Sequence, residues 1–470
     1  MKKLLTLAMV VTLATASVAL AAPRPLEFAQ ENATFATGAP STTANDDSCD
    51  IANAPAATLL LPVFEVDFNA APAAAVNTVF TIVNTSAVPQ IAHITLWTDR
   101  SFPVLDFNVF LTGYDVQGIS LYDIIARGLL PGGGNQVSEG SRSEDNIDGN
   151  PFFAPTAESA CANLPTQIPD FLLTDIRTAL TAGTTVGCGS TRVGQTHTNA
   201  IGYVTIDVGN NCSQSLPTSE GYYTGEILFD NVLIGDYQRI NPISTTGNNA
   251  GGESLVPIRA IPEGGPAGSF PGTNLPYTFY DRYTPDLPSR QVDRRQPLPS
   301  TFAARFIAGG TGNFGTRMAI WREGITADVG CSVTANGSLA ITEIVRFDES
   351  ENPTTFGLVI PISPVPPNVI SLPEASLNVV GGGGTLGSSV FPSPSSGSGD
   401  VGGWIYLNLN NGGSSTYSSS RDSQNWVTVQ LTAEGRMAVD FDAAYLGNGC
   451  TPAISGGVEI GPAPNFSSLD

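Results

Sequence analysis

Paired carboxylates are the chemistry-bearing residues with the clearest spacing in this chain. Glu65 and Asp67 stand two apart in Leu61-Pro-Val-Phe-Glu-Val-Asp-Phe68. On an extended strand that spacing sends both side chains to one face. Retaining glycosidases hold an acid and a nucleophile about 5–5.5 Å apart, and two such strand positions offer that arrangement. Asp440 and Asp442 repeat the pattern, as do Glu226 and Asp230 at twice the interval. A half-solvated antiparallel sheet produces the same alternation without any catalytic role. A working pair further requires one raised pKa.

Oxygen ligands crowd one segment, where Glu144, Asp145, Asp148 and Asn150 lie close together after Glu139. Hard cations accept ligands at such spacing, so a structural calcium ion is expected there if any cofactor is bound at all. The final glutamate of the EF-hand pattern is absent. Asp46, Asp47 and Asp50 form a second acidic group beside Cys49.

Aromatic and amide side chains offer a binding surface. In Trp404-Ile-Tyr-Leu-Asn-Leu-Asn410, alternation puts Trp404, Tyr406 and Asn408 on one face and Ile405, Leu407 and Leu409 on the other. With the aliphatic side as core, the aromatic side suits stacking on sugar rings and bonding to their hydroxyls. An extracellular glycan is the partner this face predicts.

Other chemistries are narrowed by composition. There are two histidines, His93 and His197, so a three-histidine metal site is impossible. His93 falls inside a strand pattern beside Trp97, where a structural role is expected. His197 lies in a polar stretch, where it is either solvated or a base. No G-x-S-x-G elbow occurs, and no phosphate loop of the G-x-x-x-x-G-K-[ST] type.

The only lysines are Lys2 and Lys3, at the start of a charged, apolar and small-residue sequence ending Ala19-Leu20-Ala21. This reads as a signal peptide over residues 1–21. The remaining chain sets 42 acidic residues against 18 arginines, a net charge of −24. That makes nucleic acid and anionic membranes poor partners. No later run is long and apolar enough for a membrane helix, so no integral membrane association is expected. Localisation is expected to be secreted, cell-surface or periplasmic. A lysine–asparagine isopeptide crosslink is excluded for want of lysine.

Six cysteines follow the signal: Cys49, Cys161, Cys188, Cys212, Cys331 and Cys450. Their even number in an exported chain predicts up to three disulfides. Cys188–Cys212 is the favoured pair because the two flank a strand-like segment, and Cys49–Cys450 would tie the ends together.

The elements that must position these residues are mainly strands. Alternating segments recur at Leu61–Phe68, Val76–Val83, Gln90–Thr98, Phe107–Leu111, Gly202–Val208, Glu226–Leu233, Leu255–Ile261, Phe302–Ile307, Thr316–Trp321, Leu339–Phe347, Trp404–Leu409, Trp426–Leu431 and Met437–Phe441. Two short helices are expected, at Ser120–Leu130 and Pro169–Ala182. The second would bury Phe171, Leu172, Ile176 and Leu180. Residues 242–300 are so rich in Gly and Pro that irregular structure is expected.

The expected class is all-β, mainly an antiparallel β-sandwich of immunoglobulin-like or jelly-roll-like type with long irregular loops. The segment from Phe80 to Thr98 resembles an immunoglobulin-type sandwich edge, which implies fold alone. The domain reading is a disordered leader over 22–57, a large sandwich over 58–360, and a smaller β-rich lobe over 361–470 that either stands alone or completes the main sandwich. The proline cluster at 361–367 sets that boundary. The functional expectation is a non-catalytic exported surface, matrix or adhesion component, with self-assembly as one mode of action. A carbohydrate-binding protein and a glycoside hydrolase are the alternatives.

Overall fold

A computed structural model describes residues 54–131 and 164–212 and, with short interruptions, 214–260, 279–280, 293–309, 314–356, 371–380, 401–409 and 424–447. The first part of the chain supplies β1 (Thr58–Val66), β2 (Asn77–Asn84), β3 (Gln90–Thr98), β4 (Pro103–Leu111) and β5 (Val116–Ser120). Two helices follow, α1 (Leu121–Arg127) and α2 (Asp170–Thr181). Then come β6 (Ala200–Gly209), β7 (Leu233–Asn241), β8 (Asn249–Ser254) and β9 (Val256–Ile258). The second part supplies β10 (Thr301–Ala308), β11 (Phe314–Arg322), β12 (Leu339–Ala340), β13 (Glu343–Asp348) and β14 (Pro353–Phe356). It continues with β15 (Ser371–Leu372), β16 (Ala375–Val380), β17 (Val401–Asn408), β18 (Asn425–Ala433), β19 (Met437–Asp442) and β20 (Ala444–Gly447).

These strands form four main antiparallel sheets. In the first part the orders are β4-β3-β6-β1-β9 and β5-β2-β7-β8. In the second they are β14-β13-β17-β10-β20 and β16-β11-β18-β19, with β12 and β15 as a separate two-stranded ladder. The all-β, sandwich-like class read from the sequence is the observed one. Strand pairing runs across residue 360: β13 before it and β17 after it are direct neighbours, as are β11 and β18. The strands beyond the proline cluster thus complete sheets begun at residue 301.

The core explains why polar alternation did not mean a wet face. Leu59 and Leu61 of β1, Ile94 and Leu96 of β3 and Ile206 of β6 face Phe80 and Ile82 of β2 and Tyr237 of β7. On the opposite side of the same sheet, Leu60, Val63, Trp97 and Tyr203 join Met318, Trp321, Ile405 and Val429 of the second part. The β4-β3-β6-β1-β9 sheet is therefore covered on both faces, and every residue of β3 is buried. Burial of this kind is the main stabilising term, at about 25 cal/mol per Å² of apolar surface.

Local signals account for the helices, with two corrections. Ser120 caps α1 by accepting from the Asp123 amide, as its position predicts. The helix stops earlier than expected, at Gly128, whose φ of 69° is the left-handed conformation that ends helices. Helix α2 buries Leu173, Ile176 and Leu180, whereas Phe171 is 78% exposed. Ile176 and Leu180 are buried as expected and Leu172 packs against the core, so the stripe departs from the expected one in replacing Phe171 with Leu173. Two further strand readings shift. Tyr222–Glu226 is a π-helical turn and the strand begins at Leu233, so Glu226 and Asp230 do not share a strand face. Within the stretch expected to be irregular, β8 pairs with β7.

Candidate functional site

Most of the chemically capable side chains are bound up where the two parts of the molecule meet. Glu65, near the end of β1, accepts from Arg317 Nη2 of β11 at 2.8 Å and from Asn199 Nδ2 at 2.8 Å. Burial pushes its pKa up, but the Arg317 charge and hydrogen bond and the Asn199 amide outweigh this and hold it below the usual value. Asp67 turns away to the chain itself, its Oδ1 accepting from the amides of Asn69 and Ala70 at 3.0 and 3.3 Å. Glu65 therefore lacks the surroundings of a proton donor. The pair expected from the sequence separates into one ion-paired group and one turn cap.

Asp440 and Asp442 also part company. Asp440 of β19 accepts from Arg239 Nη2 of β7 at 2.9 Å, and both side chains are almost fully buried. Tyr237 reaches Thr428 across the same junction at 3.3 Å. The approach is close: a Cβ on Gly251 of β8 would lie 2.1 Å from Asp440 Oδ1. Only glycine admits the carboxylate there.

Asp442 faces a cleft of about 300 Å³ instead. Glu253, Ser254 and Pro257 line one side, and Trp426, Asp442 and Tyr445 the other, with two alanines between. Trp426 Nε1 donates to Asp442 Oδ1 at 2.8 Å and Thr428 Oγ1 donates to the same oxygen at 3.3 Å. Glu253 Oε1 accepts from the Ser254 amide at 2.9 Å. Burial, and then the negative charge of Glu253, push the Asp442 pKa up to about 7 against the pull of its two donors. Of the paired carboxylates singled out from the sequence, Asp442 is the one with this environment. Its neighbouring acid, Glu253, was not legible because β8 lies in a Gly-rich stretch that offers no strand pattern.

The aromatic face of β17 is only partly open. Tyr406 is fully buried and Asn408 is 7% exposed, because both faces of this strand are covered at those positions. Trp404 is half-buried and stacks on Phe347 of β13, with ring centroids 4.1 Å apart and planes 7° from parallel. The expected row of three exposed residues is reduced to one aromatic pair.

The two histidines sit in different settings. His93 is 3% exposed, with Nδ1 3.0 Å from Asn108 Oδ1 and its ring against Tyr222. His197 Nε2 lies 3.0 Å from the buried Asp99 carboxylate. Deeper in, Asp207 accepts from Thr58, Tyr222 and Tyr280, while Arg295 donates to Asp293 at 3.1 Å and to the Leu228 carbonyl at 3.0 Å. Arg295, Asp207 and Asp293 are all fully buried, so this network is part of the core.

Cys188 is bonded to Cys331, which corrects the expected Cys188–Cys212 pairing. Adjacency along the chain misled: the bond instead links the segment after α2 to the segment after β11. Cys212 is also disulfide-bonded. Cys49, Cys161 and Cys450 lie outside the described residues, as do Glu144, Asp145, Asp148 and Asn150 and residues 1–21, over which a signal peptide is expected. Among the described residues no three metal-ligating side chains converge, and no helix is long and apolar enough to cross a membrane. The chain matches no protein-family model, no curated protein and no solved structure.

Proposed function

We propose that this is a non-catalytic exported protein, a structural or adhesive component of a cell surface or extracellular matrix. One observation carries the reading: three of the reactive side chains offered by the sequence are spent on joining the two β-rich parts. Glu65 is held by Arg317, Asp440 by Arg239, and Cys188 by Cys331. A junction closed by one buried ion pair, one partly buried ion pair and a disulfide resists opening, which suits a passive element outside the cell. The expected amino-terminal signal, and the charge of −24 that remains once residues 1–21 are removed, support export and solubility there.

The test is native size. Protein released gently from its producing cells, without reductant, is run on gel filtration and imaged by negative stain. Ordered assemblies or a surface-bound fraction are expected. A freely secreted monomer that binds neither itself nor cells would sink the reading.

Glycan binding is retained as a second reading because Trp404 and Phe347 form a half-buried stacked pair. Aromatic faces of this kind stack on sugar rings. Replacing Trp404 with Ala is expected to abolish retention on a polysaccharide column while leaving the melting temperature nearly unchanged; equal retention would remove this reading.

A further inference from the structure

The cleft between β8 and the β18–β20 segment is not used by the junction around it. Its two acids each keep one oxygen outside the hydrogen bonds present among the described residues. Both donors to Asp442 fall on Oδ1, and the Ser254 amide falls on Glu253 Oε1. Among the described residues no arginine lines the cleft, and Arg239 on the neighbouring strand is committed to Asp440. Two carboxyl groups therefore face one small space with no cation among the described residues.

From this geometry we propose that the Glu253–Asp442 cleft binds a small organic cation, a primary ammonium group on a short alkyl chain. The ammonium sits between the two free carboxylate oxygens, each accepting one N–H. Trp426 and Tyr445 supply aromatic surface, which attracts a cation as well as its alkyl stem. Trp426 is 4% exposed and held in place by its bond to Asp442, so that wall is preorganised.

Other ligand classes fit less well. A divalent metal ion needs about six oxygen ligands, and no third acidic or histidine side chain converges there among the described residues. A neutral sugar would leave the two like charges uncompensated. Beyond residues 1–21 the chain has no lysine, so neither the exported chain nor a second copy of it fills the site with a lysine. The ammonium group comes from another molecule. The raised pKa of Asp442 is the same deficit seen from the protein's side: without a cation, a proton partly neutralises the pair.

The experiment is calorimetric titration of the full exported chain with n-butylammonium chloride at pH 8 and constant ionic strength. Sodium chloride, 1-butanol and calcium chloride serve as comparison titrants. Saturable binding of butylammonium is expected, at least tenfold tighter than any binding of 1-butanol or calcium. Glu253→Gln and Asp442→Asn should each weaken it about tenfold. Absence of saturable heat, equal affinity in both variants, or preference for 1-butanol or calcium would each overturn the proposal. Glu253 lies on β8 and makes only a local backbone contact, so Glu253→Gln decides the matter if Asp442→Asn folds poorly.

Discussion

Glu65 and Asp442 are both carboxylates near the junction of the two β-rich parts, yet they are neutralised in opposite ways. Glu65 meets a guanidinium 2.8 Å away and stays ionised. Asp442 meets another acid and two neutral donors, and its pKa rises to about 7. Burial acts on both in the same direction, so the sign of the net shift is set by the neighbour that tertiary structure supplies. An acid with a committed cation is a fastening. An acid without one is an available site.

The largest effect is expected where a buried charge loses its partner. Arg239→Ala leaves the buried Asp440 carboxyl without its partner beneath Gly251, and should cost about 3–5 kcal/mol in chemical denaturation. A loss under about 1 kcal/mol would mean that Asp440 is far less buried than the fold requires. Removing the Cys188–Cys331 bond by a double change to Ser should cost about 2–4 kcal/mol, since it releases a 143-residue separation in the unfolded chain. Gly251→Ala pushes directly against Asp440 and should cost about 1–3 kcal/mol by overpacking. Unchanged stability would show that β8 yields freely from β19.

The smallest effect sharpens the comparison most. For Glu65 the folded pKa lies below the unfolded one, so its stabilisation is present above the unfolded pKa and lost as pH falls through the folded value. For Asp442 the folded pKa is raised, so its stabilisation is complete below the unfolded value and lost as pH rises through about 7. Melting curves from about pH 2 to pH 8 should then separate two variants. Asp442→Asn is expected to gain roughly 1 kcal/mol at pH 8 and little at pH 4, allowing for partial exposure. Glu65→Gln should lose stability at pH 8 and little below pH 4. Parallel shifts at all pH values would show that neither carboxyl titrates on its own.

Much of the secondary structure was legible because alternation, caps and strand propensity act locally. Gln90–Thr98 is a strand at both of its expected ends, and Ser120 begins a helix as its type predicts. The misses have identifiable causes. Gly128 stops α1 through backbone conformation, which a glycine-rich run a few residues later obscured. Strand β8 consists of Asn, Ala, Gly and Ser beside its one Glu, and gains its place by pairing with β7 rather than by propensity.

The sites were less legible than the strands. Period-two spacing placed Glu65 with Asp67 and Asp440 with Asp442, which is sound as geometry of one strand. It carries nothing about what approaches from other sheets. Arg317 lies 252 residues from Glu65, and Arg239 lies 201 residues from Asp440. The same blindness applied to Cys188, whose partner is 143 residues away rather than in the next strand.

By itself, the sequence determined the all-β class, the strong negative charge, the confinement of lysine to Lys2 and Lys3, and the absence of a three-histidine metal site and of a serine elbow. Those follow from composition and short-range periodicity, which need no knowledge of neighbours. Tertiary structure alone decided that the β4-β3-β6-β1-β9 sheet is covered on both faces, that the strands after residue 361 pair with those before it, and which acids receive a cation. These are contacts between distant segments, and packing sets both the dielectric and the partner that decide whether a carboxyl group fastens the molecule or stays open to a ligand.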